Sequence, residues 1–205
     1  ILYFIGKFGD LACFSMNPMK VFGGYGDAGA VCSDNLKIVN KIKSLRYAGT
    51  INKELVVDPD LNHKIDSLQA AILLEKIKIF KNEVVLRNKV ANLYRQKLNN
   101  ISGITFQTIP KEYESVYAQF SILFSNETKR NNIQKYLMNN NIPSVIYYPI
   151  SGHLQQGYRY LNYKEGDFPV SEELGKRILS LPMHPYLEED EMNKIVRTIE
   201  DGLTK

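Results

Sequence analysis

The sequence predicts an α/β chain in two parts that meet near residue 100. Up to Leu98, short apolar segments alternate with stretches of helical periodicity. At Gly103 the helical pattern breaks. From Ile104 onward the apolar residues recur at every second position, the period of a strand, before helical spacing returns. Residues 1–100 therefore read as one α/β part, and residues 101–205 as a smaller, compact α+β unit. No internal repeat or low-complexity segment interrupts either part.

Taken in order, a short strand is predicted around Ala12–Ser15 and a second over 28–33. Asp34 is placed to cap a helix reaching about residue 45, because Leu36, Val39, Ile42 and Leu45 recur at helical spacing. Residues 47–61 are polar and contain Pro59, which predicts a loop long enough to suspect a function. Asp66 opens a helix to Phe80 through Leu68, Ala71, Ile72, Leu74 and Ile77. A third amphipathic stretch, carrying Val84, Leu86, Val90, Leu93, Tyr94 and Leu98, follows or continues it. Strands are expected at 104–106, 117–124 and 144–148, with a helix at 129–140 between the last two. Two further helices, 171–179 and 188–203, each begin with a capping residue or an acidic first turn.

Composition excludes several functions. A formal charge of +4, dispersed along the chain, gives no stripe for nucleic acid. No apolar run approaches the roughly 20 residues of a membrane helix. The opening Ile1-Leu2-Tyr3-Phe4-Ile5 lacks the basic region of a signal peptide and an initiator methionine, so a cytoplasmic fragment is expected. Cys13 and Cys32 have neither metal-ligand nor redox-pair spacing. A reduced compartment fits them best, with a disulfide between them left open.

One lysine is set apart by its surroundings. Ser15-Met16-Asn17-Pro18-Met19-Lys20 runs directly into Gly23-Gly24-Tyr25-Gly26-Asp27-Ala28-Gly29. A lysine with a hydroxyl five residues upstream, before a turn with almost no side-chain bulk, suits an aldehyde cofactor such as pyridoxal phosphate, with a backbone-lined pocket for its phosphate. The amine reacts with an aldehyde once its charged form is disfavoured. The glycines would allow close backbone approach and positive φ. The plain alternative is a hairpin turn beside a solvated lysine.

With these residues in place, Phe14-Ser15-x-x-Pro18-x-Lys20 and Gly24-Tyr25-Gly26-Asp27-x-Gly29-Ala30 resemble the cofactor-lysine region of the DegT/DnrJ/StrS-type nucleotide-sugar aminotransferases. The resemblance continues in order along the chain. It takes in Leu61-Asn62-His63-Lys64-Ile65-Asp66-Ser67-Leu68-Gln69-Ala70-Ala71, Ser115-Val116-Tyr117-Ala118-Gln119 and Tyr148-Pro149-Ile150. Next come His153-Leu154-Gln155, Tyr158-Arg159-Tyr160-Leu161 and Gly166-Asp167-Phe168-Pro169-Val170. It ends at Leu179-Ser180-Leu181-Pro182-Met183-His184-Pro185. The later motifs look most like enzymes that aminate UDP-linked 2-acetamido 3-keto sugars, 3-oxo-glucuronate derivatives among them, for surface polysaccharides or glycans.

The resemblance implies a pyridoxal-phosphate-dependent transferase of fold type I. Residues 1–100 would be the C-terminal part of its large cofactor domain with bridging helices, and 101–205 its small domain. Lys20 would hold the cofactor as an imine and shuttle the proton. Ser15 would hydrogen-bond the phosphate. Asn62 would reach the phosphate of a neighbouring subunit's cofactor in a homodimer with shared sites. Lys64 stands where arginine is usual and would face the sugar diphosphate as a point charge rather than a bidentate fork. Tyr147 and Tyr148, replacing a common His-Tyr pair, would line the nucleotide-sugar pocket with His153. The residues expected to hold the pyridine nitrogen and stack on the ring would precede residue 1. Related dehydratases carry histidine in place of the lysine, so Lys20 points to transamination, with glutamate as the expected amino donor.

Structural readings stand beside these. Asn62 and Lys64 could cap the helix near Asp66, and the tyrosine-rich stretch 147–163 could be core packing or a partner surface. His63, His153 and His184 form no metal constellation, and Lys37, Lys41, Lys43 and Arg46 fit a solvated helix face. The alternative function is a truncated, non-catalytic chain of the same fold that binds a nucleotide sugar or a partner.

Overall fold

A computed structural model describes residues 6–52 and 54–204. The chain divides into two compact units between Lys81 and Asn82.

In the first unit β1 (Ala12–Ser15) pairs antiparallel with β2 (Gly29–Cys32), Ala12 facing Cys32 and Ser15 facing Gly29. Helix α1 (Leu36–Leu45) follows. Its cap is Asn35 rather than the expected Asp34: Asn35 takes the extended backbone of a cap, and its side chain accepts from Lys37 N at 3.0 Å. The expected long loop contains a small hairpin, β3 (Thr50–Ile51) with β4 (Leu55–Val56). The two helical stretches anticipated after it, whose continuity the sequence left open, are one continuous helix, α2 (Ser67–Leu98). No glycine or proline interrupts residues 67–98, so nothing in the backbone requires a break.

The second unit is built on a three-stranded antiparallel sheet, β5 (Ile104–Phe106), β6 (Phe120–Phe124) and β7 (Ile178–Leu181), with β6 central. The C-terminal half of α2, with α3 (Glu127–Asn139) and α5 (Glu189–Thr204), supplies the rest of its core. Ala91, Tyr94 and Leu98 pack with Ile122, Phe124, Leu137, Leu179 and Ile199, all essentially inaccessible to water. Tyr94 stacks on Phe120, ring centroids 4.7 Å apart, and its hydroxyl donates to Pro182 O at 2.9 Å. Burial pushes that phenol well above its ordinary pKa.

Three sequence expectations shift in this unit. The middle strand starts at Phe120, because Tyr117 turns through φ +44°. Residues 144–148 form no strand, only an isolated bridge between Val145 and Ser180. The helix expected over 171–179 is α4 (Pro169–Arg177), with Pro169 in its first turn; Ile178 then takes extended backbone and opens β7. Between the Val145 bridge and α4 run two 3₁₀ turns, Gly152–Leu154 and Gln156–Leu161.

Candidate functional site

The Lys20 loop belongs to the first unit and is closed on itself by hydrogen bonds. Met16 N donates to Ala28 O and Gly24 N to Met16 O, both at 2.8 Å. Asn17 ties the tip: its side-chain nitrogen donates to Asp27 Oδ1 at 2.7 Å, its Oδ1 accepts from Met19 N at 3.0 Å, and its carbonyl accepts from Lys20 N at 2.8 Å. Ser15 ends β1, and its hydroxyl oxygen accepts from Asn17 N at 3.4 Å. Ser15 and Lys20 are thus brought onto one tied loop, both exposed. Among the described residues no carboxylate pairs with the Lys20 amine.

The glycines serve close approach rather than positive φ. The positive-φ glycines are Gly6, Gly49, Gly103 and Gly166, none of them in this turn. A Cβ on Gly23 would stand 2.4 Å from Asn17 O, which only glycine avoids. On Gly24 and Gly26 it would meet the Gln69 amide, at 3.0 Å from Oε1 and 2.9 Å from Nε2. Gln69 Oε1 accepts from both Tyr25 N and Gly26 N at 2.9 Å. These amides are therefore directed at a side chain of α2, not into an open anion pocket as the sequence suggested.

Asn62 and Lys64 lie in the same unit, against the end of α1. Asn62 bridges to Tyr47, and His63 N donates to Arg46 O at 3.1 Å. The Lys64 ammonium sits 4.2 Å from the centroid of the Tyr47 ring, a cation–π contact. Asn62 Oδ1 accepts from Lys64 N at 3.3 Å. Both side chains are exposed.

Tyr147, Tyr148 and His153 belong to the second unit. The two tyrosine rings meet edge to face at 5.5 Å, across a cis peptide. They line a cavity of about 620 Å³ with Ser151, Phe168, Leu174 and Gly175. Gly175 keeps this wall close, since a Cβ there would lie 3.0 Å from Tyr148 O. His153 is placed differently. Its side chain is 8% exposed, its Nε2 is 3.0 Å from Glu172 Oε1, and its ring packs on Phe168 at 4.8 Å. Glu172 also accepts from Gly166 N at 2.9 Å and from Phe168 N at 3.3 Å. Burial pushes the Glu172 carboxyl up, but these amides and His153 together hold it below its ordinary value.

Sequence reasoning singled out neither Gln69 nor Glu172. Gln69 stood inside a quoted motif without a role, and its signal was its place on α2, one helix face with Leu73, Lys76 and Phe80. Among the described residues no group of three or more His, Cys, Asp or Glu could hold a metal ion, and no helix is long and apolar enough to cross a membrane.

Residues 4–200 match the DegT/DnrJ/EryC1/StrS aminotransferase family. The chain is 34% identical to the UDP-2-acetamido-2-deoxy-3-oxo-D-glucuronate aminotransferase of Pseudomonas aeruginosa, over 87% of this chain and 48% of that protein. It is 33% identical to a pleiotropic regulatory protein of Geobacillus stearothermophilus, over 95% of this chain and 52% of that protein. A solved DegT DnrJ EryC1 StrS aminotransferase from Brucella abortus matches with a TM-score of 0.87 at 35% identity, covering 98% of this chain and 52% of that one. The chain spans about half the length of the relatives it matches.

Proposed function

The chain belongs to the DegT/DnrJ/EryC1/StrS aminotransferase family, and from that premise we propose that it acts in a pyridoxal-phosphate-dependent aminotransferase. The reaction would move an amino group from an amino acid, glutamate in our reading, to the keto group of a nucleotide-linked sugar. A UDP-2-acetamido-3-keto sugar fits the later motifs and the Pseudomonas aeruginosa relative. The observation that carries the reading is Lys20: an exposed amine with no paired carboxylate among the described residues, at the tip of a loop tied by Asn17, Met16 and Gln69.

The residues present fit the cofactor, with a primary amine for an aldehyde and the Ser15 hydroxyl on the same loop for a phosphate. Pyridoxal phosphate supplies the electron-accepting ring that makes the donor's α-hydrogen acidic. Lys20 Nζ would hold the cofactor through its aldehyde and, as a free amine, would take up and return the proton of the donor carbon. Ser15 Oγ donates to the phosphate. Asn62 offers its side-chain amide to the phosphate of a partner subunit's site, and Lys64 places a point charge toward the sugar diphosphate. Tyr147 and Tyr148 orient the nucleotide sugar in their cavity, and His153 supports that cavity's wall through Glu172 and Phe168.

Borohydride reduction of the holoenzyme, followed by peptide mass spectrometry, tests the reading. The label is expected on Lys20, and Lys20→Ala should lose both label and turnover. A label fixed at another single site overturns the assignment. A panel of nucleotide ketosugars with glutamate then identifies the substrate. A second reading, a non-catalytic binding chain, has one observation in its favour: the regulatory name of the Geobacillus relative. A visible absorption band on adding pyridoxal phosphate separates the two.

A further inference from the structure

Four consecutive residues downstream of Lys20 have a backbone group held from outside their own turn. Gly23 O accepts from Lys76 Nζ at 2.6 Å. Gly24 N donates to Met16 O, and Tyr25 N and Gly26 N both donate to Gln69 Oε1. Gln69 and Lys76 are seven residues apart on α2, two helical turns, so they share a face. Leu73, 7% exposed, lies on that face between them. Phe80, four residues beyond Lys76, meets Phe22 with ring centroids 5.1 Å apart. One rigid helix face thus holds the loop's outer edge at Phe22, Gly23, Tyr25 and Gly26.

The inner edge is closed on Met16 and Asn17, so the tip that carries Lys20 is set between two fixed edges. From this geometry we infer that Gln69 and Lys76 are positioning residues for Lys20: they fix the frame from which its amine reaches the cofactor. The inference rests on the proposed role of Lys20. It also explains why glycine stands at 24 and 26, since any side chain there would displace the Gln69 amide. Gln69 is the stronger hold, because one oxygen satisfies two donors; without it both amides lose their acceptor. Lys76 adds a charge-assisted bond to a carbonyl.

The test compares Gln69→Leu, Gln69→Glu and Lys76→Met in the holoenzyme. The first readout is hydrogen exchange at Tyr25 and Gly26, which needs no turnover. Gln69→Leu should speed exchange at both by about tenfold or more, with β2 and the core of the second unit unchanged. Gln69→Glu keeps an oxygen acceptor and should remain near wild type. The second readout is the fraction of protein labelled at Lys20 after borohydride, which should fall in Gln69→Leu. The third is a kinetic split: kcat lower by about tenfold or more, with KM for the keto sugar changed less than about threefold, since a small misplacement of the reacting group acts mainly on the chemical step.

If Gln69→Leu does not fold, Lys76→Met carries the same comparison, because it removes only the hold on Gly23 O. Unchanged exchange and unchanged Lys20 labelling in the variants overturn the inference while leaving the role of Lys20 intact. A wild-type label away from Lys20 overturns both.

Discussion

Arg130 shows how one residue can decide the shape of a site it does not enter. Its side chain is 3% exposed, and its Nη1 donates to Gly175 O at 3.1 Å and Ile178 O at 3.2 Å. Those carbonyls sit where α4 passes into β7, and Gly175 and Ile178 both line the tyrosine cavity. Burial lowers the guanidinium's pKa, and Glu127, 3.6 Å away, only partly offsets this. Arg130→Met fills a similar volume but leaves both carbonyls without their donor. Unfolding in urea should show a loss of about 2–4 kcal/mol. Arg130→Lys should fall between the two, since an ammonium cannot reproduce the planar fork. A wild-type midpoint in Arg130→Met would mean that water replaces the guanidinium at no cost.

At the scale of elements, the His153–Glu172 pair ties the first 3₁₀ turn to α4, and Glu172 also holds the intervening loop through Gly166 N and Phe168 N. Because the folded carboxyl lies below its ordinary value, the unfolded chain takes up the proton first as pH falls. The tie is therefore fully present above the unfolded pKa and is lost as pH drops through the folded one, on the acid side of the ordinary carboxylate range. Hydrogen exchange at Gly166 and Phe168 should rise over that window. In Glu172→Gln, which keeps an acceptor but cannot titrate, the rise should vanish. The sequence did not announce this tie, because Glu172 reads there only as the acidic first turn of a helix. Strand β7 was hidden for a related reason: Leu174 and Ile178 keep helical spacing, and the extended backbone at Ile178 follows from its pairing with Leu123 of β6, a contact 55 residues distant in the chain. By contrast, the strand–loop–strand around Lys20 and the amphipathic helices were legible, because local periodicity and capping residues decide them. What the glycines of that loop approach was not legible, since Gln69 stands more than 40 residues downstream.

For the whole molecule, the donors available around Lys20 bear on assembly. A cofactor phosphate and a sugar diphosphate need several donors, yet Gly24, Tyr25 and Gly26 direct their amides at Met16 and Gln69. Those three amides are then not available to an anion, and on the same loop our reading turns to Ser15. Asn62 and Lys64 remain exposed, held against the end of α1 by the Tyr47 bridge and ring. Our reading places them in the site of a partner subunit, which makes the enzyme a C2 homodimer with two shared sites. The test mixes two inactive chains, Lys20→Ala and the double variant Asn62→Ala, Lys64→Ala. In their heterodimer one site would combine the double variant's intact Lys20 with the other chain's intact Asn62 and Lys64, while the second site would carry every defect. Isolated heterodimers should therefore regain about half of wild-type activity per dimer, the value expected for one working site of two. If Asn62 and Lys64 serve their own chain's site, neither site in the heterodimer is whole. Verified heterodimers without recovered activity would then assign these residues to their own subunit or to no site.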